Sequence, residues 1–191
     1  GSSWDTITTD VTGDPDTALS TAITLSGTSA IHLRITDDAG NAGTADTTSY
    51  ILDTTAPTIS FSSVDISADT GTSATDFNTK TAAQTLTGTL SAAMASDDIL
   101  KVSVNAGVAW STITTDVTGD PDTALSTAIT LTDDTTSAIH LQITDDAGNT
   151  GTADTTAYTH DDTAPTTTYA SVDISADTGT SATDFNTKTA A

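Results

Sequence analysis

The chain has 191 residues, of which 26 are acidic and four are Lys or Arg, so its formal net charge is -22 at pH 7. Every acidic residue is Asp, none is Glu, and there is no Cys. This charge argues against nucleic acid and anionic membrane surfaces as partners. The lack of Cys rules out disulfides. No apolar run approaches the roughly 20 residues of a membrane span, so direct membrane insertion is not expected.

The sequence repeats itself over a long period. Residues 6–25 are identical to 112–131, and residues 63–83 are identical to 171–191. Aligned copies lie 106 residues apart before Leu25 and 108 apart after it. A period of this length corresponds to a whole domain rather than to a solenoid repeat. We therefore predict one complete repeat at 54–161, the C-terminal part of a preceding repeat at 1–53, and the N-terminal part of the next repeat at 162–191.

Short alternating apolar runs separated by turn residues predict strands along the complete repeat. The 48 Thr residues, together with Val and Ile, favour strands, and helical periodicity is absent. The pattern indicates an all-β fold, an immunoglobulin-like β-sandwich of about seven strands in each tandem repeat. An up-and-down barrel is the alternative. The expected strands cover residues 59–66, 84–90, 100–104, 110–117, 125–131, 139–143 and 151–159.

Alternating strand directions sort the connecting loops between two ends of the repeat. One end, here called the near end, receives the linker at Asp53 and the loops at 96–98, 120–122 and 145–149. The opposite, far end holds the loops at 69–76, 133–134 and 161–162. Acidic residues therefore gather at both ends, where successive repeats meet.

At the near end, Asp145, Asp146 and Asn149 form an acidic turn in which Gly148 supplies conformational freedom. Calcium takes six to eight oxygen ligands from carboxylates, amides, carbonyls and water. A single turn does not supply that number, so we expect carboxylates from neighbouring loops to join it. The alternative is a plain turn with solvated Asp side chains. The proposed calcium ligands at this end, with the copies of the turn residues in the preceding repeat, are Asp37, Asp38, Asn41, Asp53, Asp97, Asp98, Asp145, Asp146 and Asn149.

At the far end, a long glycine-containing loop carries spaced carboxylates. A polar loop of this length inside a compact domain is costly to order, and a bound calcium ion would order it. The loop lacks the alternating Asp positions and the final Glu of an EF-hand. The alternative is a flexible loop rich in Asx turns. The proposed calcium ligands at this end and in its copy are Asp65, Asp69, Asp76, Asp161, Asp162, Asp173, Asp177 and Asp184.

Catalytic chemistry is not expected, and no other cofactor than calcium is implied. His32, His140 and His160 do not have zinc-site spacing. No Gly-x-Ser-x-Gly elbow is present. The Asp pairs lie in polar turns without an aromatic cleft for a sugar, and Trp4 and Trp110 are interpreted as core or domain-edge residues.

Four segments have a familiar form: DTTAPTISF, DISADTGTSATDF, TLTGTLSAAMASDDILKVSVN and ITDDAGNTGTADTTAYTHDDTAP. They resemble the bacterial immunoglobulin-like extender repeats of giant calcium-dependent RTX adhesins exported by type I secretion. The resemblance implies sandwiches joined end to end, calcium in the domains and at the linkers, and a secreted protein on the bacterial cell surface. The chain contains no Gly-Gly-x-Gly-x-Asp nonapeptides of the kind found near the secretion signal of that family.

The sequence thus predicts a structural extender module of a long cell-surface adhesin, whose partners are the neighbouring repeats of the same chain. Calcium bound in loops and at linkers would stiffen it. Two alternatives stay open. One is an immunoglobulin-like module that binds a glycan or a protein. The other is a subunit of an extracellular filament, assembled by strand exchange through self-association of the incomplete terminal repeats.

Overall fold

The computed structural model describes residues 4–7, 11–13, 16–119, 121–132, 135–181 and 183–189. These residues form strands, one short 3-10 turn at Thr114–Asp116, and no α-helix. No helix in this part of the chain is long and apolar enough to span a membrane. The strands are β1 (Val11–Gly13), β2 (Asp16–Leu19), β3 (Ser29–Leu33), β4 (Asp46–Tyr50), β5 (Phe61–Ile66), β6 (Asn78–Thr79), β7 (Ala83–Leu90), β8 (Ile99–Ser103), β9 (Ser111–Thr112), β10 (Val117–Gly119), β11 (Asp122–Thr130), β12 (Thr135–Thr144) and β13 (Asp154–His160).

The complete repeat contains two sheets. One has the strand order β10-β11-β7-β5, and the other has the order β6-β13-β12-β8-β9. Every neighbouring pair is antiparallel except β13 and β6, which run parallel. The protein is therefore all-β, as expected, and its two sheets are consistent with a β-sandwich.

The core lies between these sheets because both sheets alternate apolar and polar side chains. Leu86 and Leu90 of β7 are buried, and the threonines between them are exposed. On the other sheet, the buried residues of β12 are Ile139, Leu141 and Ile143. Successive side chains of a strand point to opposite faces, so this alternation gives each sheet one apolar face. Each such buried aliphatic side chain stabilises the fold by about 1.5–3 kcal/mol.

The described part of residues 54–161 forms nine strands instead of about seven. The expected strand at 110–117 is divided: β9 pairs with β8 in one sheet, and β10 pairs with β11 in the other. Between them the buried side chain of Ile113 enters the core, and its amide donates to the Leu100 carbonyl at 2.9 Å. The chain therefore crosses from sheet to sheet at this point. The second additional strand is β6, within the expected polar loop.

For the loops that the structure describes in full, the strand registers confirm the expected sorting between the two ends. Phe61 at the start of β5 lies opposite Leu90 at the end of β7, and Thr144 at the end of β12 lies opposite Ile99 at the start of β8. The linker and the loops 91–98 and 145–153 therefore share the near end. The loop 67–82 and residues 161–162 share the far end. Asp120, Asp133 and Asp134 lie outside the described residues.

The N-terminal part of the chain reproduces the local pairing of the complete repeat but not its burial. Hairpin β3–β4 has the register of β12–β13, from Ser29 opposite Tyr50 to Leu33 opposite Asp46. Its apolar residues are nevertheless half-buried at most, and Leu33 is exposed. In the complete repeat these positions are covered with the help of β7 and β8, and neither terminal part of the sequence contains a copy of residues 84–109.

Candidate metal sites

The far-end loop is held by hydrogen bonds within itself. One carboxylate oxygen of Asp69, Oδ2, accepts a hydrogen bond from the Phe77 amide at 2.9 Å. The Gly71 amide donates to the Asn78 carbonyl at 2.9 Å, and the Thr79 hydroxyl donates to the Ala68 carbonyl at 2.5 Å. Local hydrogen bonds therefore define the conformation of this loop.

The second oxygen of the Asp69 carboxylate, Oδ1, is buried and has no hydrogen-bond partner among the described residues. The copy of this loop repeats the arrangement. Phe185 donates its amide to Asp177 Oδ2 at 3.1 Å, and Asp177 Oδ1 is again buried without a partner in the described part of the chain. A buried acceptor left without a partner costs about 1–3 kcal/mol, and more when it is charged. Both copies thus carry a carboxylate oxygen that a cation would satisfy.

The backbone of this loop is also strained. Phe77 has φ 57° and its copy Phe185 has φ 59°, in the left-handed region that side chains other than Gly seldom adopt. Such conformations cost on the order of 1–3 kcal/mol and cluster at ligand-binding sites. The two limbs of the loop approach so closely that a Cβ on Gly71 would lie 2.8 Å from the Asn78 carbonyl oxygen.

The remaining far-end carboxylates accept hydrogen bonds from nearby backbone amides. Asp76 Oδ1 accepts from the Asn78 amide at 3.1 Å, and Asp65 Oδ1 accepts from the Ile66 amide at 2.9 Å. Asp161 Oδ1 accepts from the Thr163 amide at 2.9 Å, and Asp162 is exposed. In the copy, Asp173 and Asp184 bond the amides of Ile174 and Asn186. Among the described carboxylates at this end, only Asp69 and Asp177 leave a buried oxygen unpartnered.

The near-end turn uses both oxygens of the Asp145 carboxylate. Oδ1 accepts from the Asn149 amide at 2.7 Å, and Oδ2 accepts from the Asn149 side chain at 2.9 Å. The bond from the Asn149 side chain holds the pKa of Asp145 below its ordinary value. Asp37 and Asn41 form the same turn, and the Asn41 side chain lowers the pKa of Asp37. The expected turn is present, and both oxygens of its first carboxylate, that of Asp145, accept hydrogen bonds from Asn149.

The other near-end carboxylates lie around this turn without converging on it. Asp98 is buried, and its Oδ2 accepts from the Ala95 amide at 3.0 Å; Asp97 Oδ1 accepts from the Ser96 hydroxyl at 3.4 Å. Asp38 and Asp146 are exposed. Asp53 meets the turn through its backbone carbonyl, which accepts from the Asn149 side chain at 3.1 Å. Within the described ranges, no three His, Cys, Asp or Glu side chains are grouped to hold a metal. A calcium ion shared by these loops stays a prediction.

Sequence reasoning did not single out Gln84, which joins the far-end loop to strand β7. The side chain is buried, and its Nε2 donates to the Thr81 carbonyl at 2.7 Å and to the Ala68 carbonyl at 3.1 Å. Its Oε1 accepts from the Ala68 amide at 2.8 Å. The available signal was a Gln at the inward phase of the alternating run 84–90, where an apolar residue is usual.

Two comparisons with known proteins give no relative from which a role could be transferred. No protein-family model matches the chain, and no curated protein matches it. A role for the loops has to be inferred from their own geometry and charge.

Proposed function

We propose that this chain belongs to a tandem array of immunoglobulin-like repeats that extends an adhesin from a bacterial cell surface and is stiffened by calcium. The observation that carries the proposal is the buried, unpartnered carboxylate oxygen that occurs twice in the described residues, at Asp69 and at Asp177. Two copies of one loop show the same unsatisfied oxygen in different surroundings, since the first lies in the complete repeat and the second in the terminal part. The feature therefore belongs to the loop itself.

Calcium fits the chemistry of this loop. It is a hard cation that prefers oxygen ligands, and the loop offers carboxylates, hydroxyls and backbone carbonyls. Asp69 with Asp76, and Asp177 with Asp184, are the residues that would hold it. When bound, the ion would supply the positive charge that the buried carboxylate lacks.

The charge of the whole chain supports the same proposal. Residues 54–161 contain 14 Asp, and three or four carboxylates per ion would allow roughly three to five calcium ions in one repeat. Like charges repel one another and destabilise a compact chain. Calcium would offset this repulsion within each repeat and between neighbours, and it would thereby add stability to each repeat and keep an array extended.

The extracellular setting is supported by the sequence alone. Near-identical repeats in tandem suit a spacer, which needs many equivalent units, whereas an enzyme needs one site. The resemblance to extender repeats of secreted adhesins points to the cell surface, and the two-sheet architecture is compatible with an immunoglobulin-like domain.

The two alternatives have less support in the geometry. A glycan-binding module would be favoured by a cluster of exposed aromatic side chains, whereas the exposed Trp110 ring forms a T-shaped contact with His140 and its Nε1 donates to the Gly107 carbonyl at 3.0 Å. A filament formed by joining residues 162–191 of one copy to 1–53 of another would lack strands equivalent to β7 and β8. Those strands lie inside both sheets of the complete repeat.

The proposal is tested by calorimetric titration of the 191-residue chain with calcium. We expect several binding events per chain, of which Asp69→Ala removes one and the double variant Asp69→Ala/Asp177→Ala removes two. Asp154→Ala is the matched control, because that carboxylate accepts from the Thr155 amide and carries no buried, unpartnered oxygen in the described structure. A wild-type chain that takes up no calcium would refute the proposal. Small-angle X-ray scattering in calcium and in chelator then shows whether calcium makes the particle longer and narrows the distribution of its sizes.

A further inference from the structure

The linker that precedes the complete repeat is held at two points by the loop that follows β12. At the first point, the Asn149 side chain donates one hydrogen bond to the Asp53 carbonyl at 3.1 Å and another to Asp145 Oδ2 at 2.9 Å. The Asp145 carboxylate thereby orients the amide that binds the linker. Asp53 and Asn149 are 96 residues apart in the sequence, so this contact joins the linker before the repeat to a loop in its C-terminal part.

The second point lies four residues further along the linker. Pro57 is half-buried, and a Cβ added to Gly151 would lie 2.6 Å from the Pro57 carbonyl oxygen. Gly151 itself is fixed in place, since its amide donates to the Ile143 carbonyl at 2.9 Å and its carbonyl accepts from the Gln142 side chain at 2.9 Å. Only a residue without a side chain permits the linker to lie this close to the loop.

The preceding part of the chain offers a natural comparison. Asn41 makes the same turn with Asp37, at 2.7 and 2.9 Å. Gly43, the counterpart of Gly151, has only the Ile35 carbonyl near its Cβ position among the described residues, at 3.4 Å. Neither Gly43 nor Gly151 has a positive φ, so an Ala at either position tests crowding rather than backbone strain.

We propose that Asn149 and Gly151 form a linker seat that fixes where the preceding segment of chain enters the repeat, and that the seat holds without calcium. The role of this seat rests on the extender function proposed above, because a joint between repeats has to be positioned before an ion can stiffen it. Asn149 acts as a positioning residue for the linker, and Gly151 provides the space in which Pro57 lies.

The experiment places a nitroxide label in the linker of the 191-residue chain. The chain has no Cys, so Thr54→Cys gives a single labelling site beside Asp53. In excess chelator, the spectrum of the otherwise unchanged chain is expected to show an immobilised label. Asn149→Ala and Gly151→Ala are expected to abolish that immobilised component, while Asn41→Ala and Gly43→Ala preserve it. Circular dichroism melting establishes that the complete repeat stays folded in each variant.

The outcomes separate the linker seat from the calcium proposal. Equal immobilisation in all four variants would overturn the linker seat, as would a label that becomes immobilised only when calcium is added. If Gly151→Ala unfolds the repeat, Asn149→Ala decides the result, since it adds no atoms and removes the donor to Asp53. Should the label respond as expected in a chain that binds no calcium, the seat stands and the calcium proposal fails.

Discussion

Ile35 and Ile143 occupy the same position in two copies of one sequence pattern, yet Ile35 is 86% exposed and Ile143 is 2% exposed. The strands around them pair in the same register. Local sequence is therefore sufficient to set the hairpin, whereas burial depends on strands from elsewhere in the repeat. The difference between these two residues gives the first test of how the chain is organised.

Ile143→Ala should lower the free energy of unfolding by about 2–5 kcal/mol, because it removes buried methyl groups and leaves a cavity in the core. Ile35→Ala should change it by less than about 0.5 kcal/mol, as expected for an exposed site. Urea unfolding followed by circular dichroism measures both. Equal losses would show that the N-terminal part is packed in solution.

Gln84→Ala should detach the far-end loop from β7. The Ala68 amide would lose its partner, and an unsatisfied buried group costs about 1–3 kcal/mol. We expect faster hydrogen exchange in the loop 67–81 and a loss of stability of that size. Thr87→Ala, an exposed position on the same strand, is the control. Unchanged exchange in the loop would contradict the role given to Gln84.

Asp69→Asn should have opposite effects in chelator and in calcium. A neutral amide costs less to bury than an unpaired carboxylate, so the variant should melt above the parent chain in chelator. In saturating calcium the parent gains about 2.7 kcal/mol per site when calcium is at 100 times Kd, and the variant forgoes one such gain. Differential scanning calorimetry in both buffers measures whether the melting temperature of the variant is above that of the parent in chelator and below it in calcium. Magnesium should rescue poorly, because it requires smaller, octahedral sites. Melting curves that shift in the same direction in both buffers would remove Asp69 from the metal assignment.

Asn149→Ala should raise the pKa of the Asp145 carboxyl toward its ordinary value of 3.8, because the hydrogen bond that lowers it most is lost. A carboxyl group whose pKa is lowered in the folded state stabilises the fold at pH values above its ordinary pKa. This stabilisation is lost as the pH falls through the folded-state pKa. The variant should therefore lose less stability on acidification than the parent does. Carboxyl chemical shifts followed by NMR report the change. Asp37, held by Asn41, is the internal control and should keep its lowered pKa.

The sequence predicted the features that depend on local alternation. Leu86 and Leu90, and likewise Ile139, Leu141 and Ile143, are buried as their spacing indicated. The Asp145 turn was also predicted, since its residues are neighbours. Some features that depend on contacts between distant residues were not predicted. Examples are the passage of the chain between sheets at Ile113 and the short parallel pairing of β6 with β13.

In the candidate sites too, the sequence predicted the local spacing of residues but not the contacts of their side chains. The spacing of Asp69 and Asp76 indicated a metal-binding loop, but spacing does not reveal that only one oxygen of Asp69 is left without a partner. Convergence of the near-end carboxylates was inferred from strand counting, which places loops at an end without fixing their side chains. Several of these carboxylates instead accept hydrogen bonds within their own loops. The Asn149 side chain contacts the linker by donating to the backbone carbonyl of Asp53.

The registers of the first and last strands have a mechanical consequence. β5 begins at the near end, where the chain enters, and β13 finishes at the far end, where it leaves. Tension along an array would therefore pull these two strands in opposite directions, parallel to their own axes. The seven residue pairs between β12 and β13 would be loaded in shear and would have to break together rather than one after another. Resistance to forced unfolding is set by the unfolding rate, so in such an array this shear arrangement would slow the unfolding of a repeat under tension.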